Sequence, residues 1–309
     1  MGRVDDFVTP MKLSELGEDA VVRELIRGLP LGENVIVGAG DDCAVLGRKT
    51  DAWWRLAKTD AVIAGVHFLP EEKAARIGWK ALCRAISDIA AMGGIPEHAL
   101  ITLGVSGDTD LAWLRGLYTG LRKAARRFGV GIVGGETCRS PGATFINIAL
   151  TGRVERKFCV LRSGGKVDDA IYVTGTLGGS LAGKHLDFIP RLAEARWLVA
   201  HHRPNAMMDL SDGLGSDLPR LAAASKCGHE LWPLSIPCTP GSTPVNAMND
   251  GEDFELLFTI ALTAAAALER AWRKQFPKLP LTRIGHLTRK TPRSRGSSRP
   301  TGYDHFKAQ

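Results

Sequence analysis

The residues best able to do chemistry are acids set among glycines or apolar side chains. They are Asp41 and Asp42 in GAGDDCAVL, Asp60 in KTDAVIAGVHF, Asp88 in ALCRAISDIAAMGG, Glu136 in GGETCRSP, Asp209 and Asp212 in DLSDGL, and Glu252 and Asp253 in DGEDFELLF. Several have ordinary structural uses: Asp212 could cap a helix, Asp60 could end a strand and Asp41 could close a turn. Asp88 resists such a use. At helical spacing it shares a face with Ala81, Ala85 and Met92, and a lone carboxylate is costly to bury there. Either it is protonated or it meets a cation. A hard divalent ion such as Mg²⁺, which takes carboxylate oxygens together with substrate phosphates, would satisfy Asp88 and several neighbours at once. Acids without His or Cys partners favour magnesium over zinc or iron.

Two patterns that bind phosphate in other proteins lack their context here. GTLGGSLAGKH carries Gly178, Gly183 and Lys184 at phosphate-loop spacing, but His185 stands where the magnesium-holding hydroxyl is required. Gly129, Gly131 and Gly134 meet the dinucleotide glycine spacing by count, yet they run into GGET inside an expected strand and not from a strand into a helix.

The elements that must position the acids read as an α/β chain of mixed α+β type. A helical opening is expected over residues 13–29. VIVGAGDDCAVL gives a strand, a glycine turn and a second strand start, and WRLAKTDAVIAGVHF alternates as a strand to Asp60, then turns at Gly65 before His67. Residues 74–92 have helical periodicity and stop at Gly93 and Gly94, with Pro96 just beyond. Strands are expected at 99–105, 130–134 and 144–154, and a helix at 110–128. A second unit starts near Val160, with LRSGGKVDDAIYVTGTLGGS as a strand feeding a glycine loop, a helix at 191–201, and MMDLSDGLGSDLPRLAAAS as a loop into a helix. In DGEDFELLFTIAL, Phe254, Leu256, Phe258 and Ile260 alternate as in a half-buried strand. The expected division is 1–155 and 156–309.

With 309 residues, 44% apolar and 24% charged, the chain excludes disorder and collagen. Its 35 glycines exceed the usual ~7% of residues and cluster beside the acids, which points to backbone loops approaching a ligand. The formal net charge of +7 comes from the end of the chain, where Arg270, Arg273, Lys274, Lys278, Arg283, Arg289, Lys290, Arg293, Arg295 and Arg299 meet no acid before Asp304. Without interleaved aromatics this stretch reads as a solvated basic loop, possible as a lid over an anionic site, and no nucleic-acid partner is expected. Cys43, Cys83, Cys138, Cys159, Cys227 and Cys238 are widely spaced and read as reduced, buried thiols. MGRVDDFVTP has no signal-peptide core and no apolar run approaches the ~18 residues of a membrane span, so the expected location is the cytoplasm, with no membrane partner.

In order along the chain, GAGDDCAVL, KTDAVIAGVHF, ALCRAISDIAAMGG, GGETCRSP, LRSGGK, DLSDGL, DGEDFELLF and the closing GYDHF resemble thiamine-monophosphate kinase, from about residue 35 to 306. That family belongs to the superfamily of aminoimidazole ribonucleotide synthetase, selenophosphate synthetase and a hydrogenase maturation protein. The resemblance implies two α/β domains, the N-terminal one pairing in a homodimer and binding ATP without a phosphate loop. It implies several Mg²⁺ ions on Asp42, Thr59, Asp60, Asp88, Glu136, Asp209 and Asp212, with Asp60, Asp88 and Asp212 closest to catalysis. Gly135, Glu136, Arg162 and Ser211 would contact ATP, and His67, Glu252 and Tyr303 would hold thiamine monophosphate. Two departures stand out: Glu136 replaces a usual Asp, and Lys58 replaces a common hydroxyl residue before Thr59 and Asp60.

The implied reaction moves the ATP γ-phosphoryl group onto the phosphate of thiamine monophosphate. The acceptor has a second pKa near ~6 and is largely ionised at neutral pH, so no strong general base is needed. Two other readings exist. One is another ATP-dependent enzyme of the superfamily; the reactive Cys and Lys of a selenophosphate synthetase loop are absent. The other is a non-catalytic nucleotide-binding or RNA-binding protein using the basic stretch.

Overall fold

A computed structural model describes residues 12–290 and 302–306. The helical opening breaks at Gly17 into α1 (Leu13–Leu16) and α2 (Glu18–Leu25). Strands β1 (Val35–Val37), β2 (Ala44–Leu46), β3 (Trp53–Ile63), β4 (Ile95–Val105), β5 (Gly131–Arg139) and β6 (Phe145–Glu155) form one sheet in the order β1-β2-β3-β6-β4-β5. Only the β4–β5 pair in this sheet is parallel, as expected for strands joined by a crossover helix. Several strands outrun their sequence limits. β3 continues past Asp60 to Ile63, and β5 continues through GGET to Arg139. β4 begins at Ile95, taking in Pro96 where its register with β6 shifts, a place where a strand tolerates proline.

Two helices of this half, α3 (Ala74–Ala91) and α4 (Leu111–Phe128), lie on one sheet face. Alternation along β3 turns Leu56 and Val62 toward them, joined by Ile146, Ile148 and Leu150 of β6 and Ala99, Ile101 and Leu103 of β4. Asp110 starts α4 by accepting the Ala112 N–H at 2.8 Å, and Gly129 ends it in the left-handed region. Among the described residues no helix covers the opposite face, which bears Thr59, Asn147 and Leu100.

The second sheet is antiparallel throughout, in the order β8-β10-β7-β11-β9, from β7 (Ala170–Thr174), β8 (Ala206–Asp209), β9 (Gly228–Leu231), β10 (Leu256–Ile260) and β11 (Leu281–Thr288). Its helices are α5 (Lys184–Asp187), α6 (Leu192–His201), α7 (Leu214–Ala224), α8 (Pro244–Asn249) and α9 (Leu262–Gln275). Tyr172, Met207, Phe258, Leu198 and Trp272 make the core on the α6 and α9 side, whereas Val173, Met208, Leu257, Leu218 and Leu221 make the core under α7.

That double cover corrects two sequence readings. β10 is buried at all five positions, not on one face only, because both of its faces meet helices. The basic stretch is not a loop through residue 288, since α9 and β11 occupy 262–288 and bury Leu268, Trp272, Ile284 and Leu287 while Arg270, Arg273, Lys274 and Lys278 stay exposed. Arg293, Arg295 and Arg299 lie outside the described residues. The cysteines also divide: Cys43, Cys83 and Cys227 are buried, Cys159 and Cys238 are partly covered, and Cys138 is exposed, because β5 is an edge strand.

Helix α3 is the member shared by both halves. It is buried at nearly every position from Ile77 to Ala91, beneath by the first sheet, beside by α4, and above by α5, α6 and β8. Its approach to α4 is reciprocal and backbone-close. A Cβ on Gly78 would lie 2.0 Å from the Leu117 carbonyl oxygen, and one on Gly120 would lie 1.9 Å from that of Ala75. Gly120→Ala is therefore expected to force the helices apart and to destabilise the fold by about 1–3 kcal/mol, read as a lower urea midpoint with an unchanged slope. An unchanged midpoint would mean that this contact does not set the helix spacing.

Candidate active site

Three of the predicted acids converge in the seam between the sheets. Asp42 comes from the β1–β2 loop, Asp88 from α3 and Asp209 from the end of β8; all are buried, and one carboxylate oxygen from each lies within 4.8 Å of the others. Each has a different partner. Asp42 Oδ1 accepts from Arg162 Nη2 at 2.6 Å, Asp88 Oδ1 from Lys58 Nζ at 2.8 Å, and Asp209 Oδ2 from Ser87 Oγ at 2.5 Å. Asp42 Oδ2 is buried with no hydrogen-bond partner. An orphaned carboxylate oxygen beside two more carboxylates, with no sulfur or imidazole ligand, is a donor set that fits a hard divalent ion.

The electrostatics agree. Burial raises the Asp88 carboxyl well above its usual range, and Asp209 and Asp60 add to the rise against the pull of Lys58. Burial and the neighbouring Asp42 raise Asp209 in the same way. Asp41 supports the loop from behind, accepting the Asp42 N–H at 3.0 Å and the Arg162 N–H at 3.1 Å, and burial followed by the charge of Asp42 brings its carboxyl up to about 6.

Asp60 and Asp212 flank the triad. Asp60 Oδ2 accepts from Arg84 Nε at 3.1 Å. Asp212 does not cap α7, whose first turn follows Gly213; its carboxylate pairs with Arg220, which also meets Asp217 at 3.1 Å and Asp19 at 3.0 Å. Ser211, just before it, accepts the Glu252 N–H on its carbonyl at 2.7 Å.

The residues expected to hold the acceptor also gather here. His67 Nδ1 accepts the Ile63 N–H at 3.1 Å, so the neutral ring carries its proton on Nε2. The closing GYDHF segment folds back over this ring. Tyr303 N–H donates to the Asp212 carbonyl at 3.0 Å, His305 lies 5.3 Å from His67 between ring centroids, and Tyr303 meets His305 edge-on at 4.9 Å. Glu252 is less free than a simple ligand, for Lys80 Nζ donates to its Oε2 at 2.6 Å, His185 Nδ1 lies 2.9 Å from the same atom, and Arg84 Nη1 is 3.6 Å from Oε1. Burial alone would raise the Glu252 carboxyl, but the His185 hydrogen bond and the charges of Lys80 and Arg84 hold it down to about 2.

Thr59, Gly135 and Glu136 are not brought to this seam. The two-residue period of β3 sends Thr59 to the face opposite Lys58 and Asp60, where its hydroxyl donates to Asn147 Oδ1 at 3.0 Å. Asn147 is in register with Thr102 of β4, and Thr102 with Glu136 of β5, so Thr59 and Glu136 stand at the two ends of one polar row on the open sheet face. Three strand spacings separate them, about 14 Å. Within one chain they cannot ligate a single ion together, nor join Asp88.

The two phosphate-binding look-alikes are also settled by geometry. The Gly178–Lys184 segment enters only the four-residue α5, with Lys184 Nζ donating to the Thr176 carbonyl at 2.6 Å, and the Gly129–Gly134 run lies at the start of β5 with no helix after it.

A family model described as AIR synthase related protein, N-terminal domain, matches residues 40–154. The thiamine-monophosphate kinase of Rhodopirellula baltica is 37% identical over 290 residues, covering 88% of this chain and 89% of the relative. This chain belongs to the thiamine-monophosphate kinase family. The Escherichia coli K12 member is 34% identical over 82% of this chain and 85% of its own. The solved structure of AaThiL complexed with AMPPCP and TMP superposes with a TM-score of 0.78 at 29% identity, over 96% of this chain and 99% of that one.

Lys80, Arg84, Ser87, His185, Arg220 and His305 also belong to the site, and no acidic or glycine motif in the sequence marks them. A signal existed for two of them: Lys80, Arg84 and Asp88 are spaced four apart, which makes a charged stripe along one side of α3. His185 was judged only as a failed phosphate-loop residue, and Arg220 sits in a helix whose role the sequence does not reveal.

Burial first, then the Arg84 guanidinium, pushes the His67 ring from 6.5 down to about 3. The folded chain therefore refuses a proton that the unfolded chain accepts, and stability should fall as pH drops through the window from 6.5 towards 3. In NMR spectra the His67 ring resonances should hold still between pH 8 and 5. A titration midpoint near the ordinary histidine value would show that the ring is not held neutral.

Proposed function

We propose that this protein is an ATP-dependent phosphotransferase that converts thiamine monophosphate to thiamine diphosphate, in the cytoplasm, where its six free cysteines suit a reducing compartment. The observation that carries the reading is the convergence of Asp42, Asp88 and Asp209 beside His67, Tyr303 and Glu252 in one interdomain seam of a chain of this family. The relative complexed with AMPPCP and TMP fits the same pair of substrates. Residues 1–155 and 156–309 are the two domains that meet at this seam.

Asp42, Asp88 and Asp209 would hold Mg²⁺, with Asp60 and Asp212 at their flanks. Bound there, magnesium supplies positive charge to phosphate oxygens through a loose, in-line transfer. The chain's own groups do the rest. His67 is neutral and offers Nε2–H to a phosphate oxygen as a donor, not as a base. The acceptor, with its second pKa near ~6, is already ionised. Tyr303 and His305 lie over the buried His67 ring and would frame the acceptor on that side. Arg162, 2.6 Å from Asp42, would take a nucleotide phosphate, and Ser211 would be a further ATP contact.

Gly135 and Glu136 are assigned to ATP and Thr59 to a further ion on the open face of the first sheet. That face carries Leu100 at 48% and Val133 at 59% exposure, and a second copy of the chain, pairing there into a homodimer, would cover it. Light scattering should then return twice the chain mass, and a monomer at micromolar concentration would count against the pairing.

Purified protein incubated with ATP, Mg²⁺ and thiamine monophosphate should form thiamine diphosphate, measured as fluorescent thiochrome. Asp88→Asn should lower kcat/KM by at least about 100-fold while the circular dichroism spectrum stays unchanged. Equal turnover by the variant would remove the carboxylate cluster from the mechanism.

A further inference from the structure

The carboxylate triad already contains one ammonium. Lys58 reaches it from β3, where the strand period turns it to the same face as Asp60 and toward α3, and its Nζ stands 2.8 Å from Asp88 Oδ1. Its side chain is 24% exposed, so the ammonium is drawn into the seam and not laid on the surface. Among the described residues it is the one ammonium paired with the triad; Asp42 has the guanidinium of Arg162, and Asp209 has a hydroxyl. Asp42 Oδ2, buried and without a hydrogen-bond partner among the described residues, leaves one oxygen of the set unanswered with Lys58 already in place.

An ammonium and a divalent ion satisfy a carboxylate by different geometry, N···O near ~2.8 Å against metal–oxygen near ~2.1 Å, but both bring charge to the same oxygen. They exclude one another at that oxygen, because an ion bound there would meet the ammonium at close range and repel it. We propose that Lys58 is a tethered cation that fills one cation position of the cluster, so that this chain loads one divalent ion fewer than it would with a neutral residue at 58. This rests on the phosphotransferase reading and assigns Lys58 a role within it: part of the charge that offsets the nucleotide is built into the fold and is independent of metal concentration. Lys58 acts on phosphate through the cluster and is a specificity-determining residue for metal loading.

The test counts ions. Full-length wild type, Lys58→Ser, Lys58→Gln and Lys58→Arg are each equilibrated with Mn²⁺, with and without a non-hydrolysable ATP analogue, and free Mn²⁺ is read by electron paramagnetic resonance. The Ser and Gln variants are expected to bind about one more Mn²⁺ per chain than wild type, while the Arg variant matches wild type. If Ser does not fold, as judged by circular dichroism, Gln and Arg carry the comparison. An unchanged count in the neutral variants overturns the proposal, as does a lower one; either would make Lys58 a simple ion-pair partner or a direct phosphate contact. The thiochrome assay on wild type separates this from the parent reading. No thiamine diphosphate with a raised count in the neutral variants would sink the kinase assignment and leave the tethered cation standing. Diphosphate formed with an unmoved count would do the reverse.

Discussion

Three carboxylates within 4.8 Å of one another are the constraint that orders this molecule. At an effective dielectric of ~20 each like-charged pair at that spacing costs about 3 kcal/mol, so the gathering survives only where the surroundings answer it. The answer is local and specific. Lys58, Arg162 and Ser87 each take one acid, and α3, which carries both Ser87 and Asp88, is held rigidly by burial against both sheets. The close glycine contact with α4 keeps that helix down on the first sheet, and the second sheet delivers Asp209 at the end of β8.

The seam itself is fastened by charges off the triad. Lys80, fully buried, joins the His67 carbonyl to Glu252 and His185, so that one ammonium ties α3, the turn after β3, helix α5 and the loop before β10. Arg196 bonds Glu155 at 2.7 Å and Arg76 bonds Asp187 at 2.6 Å across the same boundary. At the far end Asp304 accepts the Glu18 N–H at 3.1 Å, and Arg220 joins Asp19 to Asp212. The chain's two described ends therefore meet beside Asp212, and the same closing segment carries His305 against His67.

Much of this was legible before the structure. Glycine beside acid marked the loops, and the apolar face around Asp88 marked its burial, because an unpaired charge among alanines needs a cause. What failed was the assumption that neighbours in sequence are neighbours in space. Thr59 and Asp60 look like one ligand pair, yet the strand period puts them on opposite faces. β8 is only four residues long, too short to show a period, and β10 is an unbroken apolar run except for Thr259, the pattern of a strand covered on both sides. In α9 and β11 the exposed positions hold the basic residues that dominated the reading, while Leu268, Trp272, Ile284 and Leu287 carried the structure unnoticed.

Charge balance in the seam decides what can enter it. Asp42, Asp60, Asp88, Asp209, Asp212 and Glu252 are set against Lys58, Lys80, Arg84, Arg162 and Arg220, and all five of these bases are already engaged with an acid. The site is thus nearly neutral by itself and holds little free positive charge for a triphosphate and a phosphate ester. Bringing two polyanions into it would leave a large uncompensated negative charge in a poorly solvated space. On the proposed reading, nucleotide and divalent cation would therefore arrive together, the carboxylates holding the cation and the cation supplying charge to the phosphates. The same balance makes a neutral His67 compatible with the proposed role, in which the ring would donate one hydrogen bond while the acidic cluster holds the compensating cation.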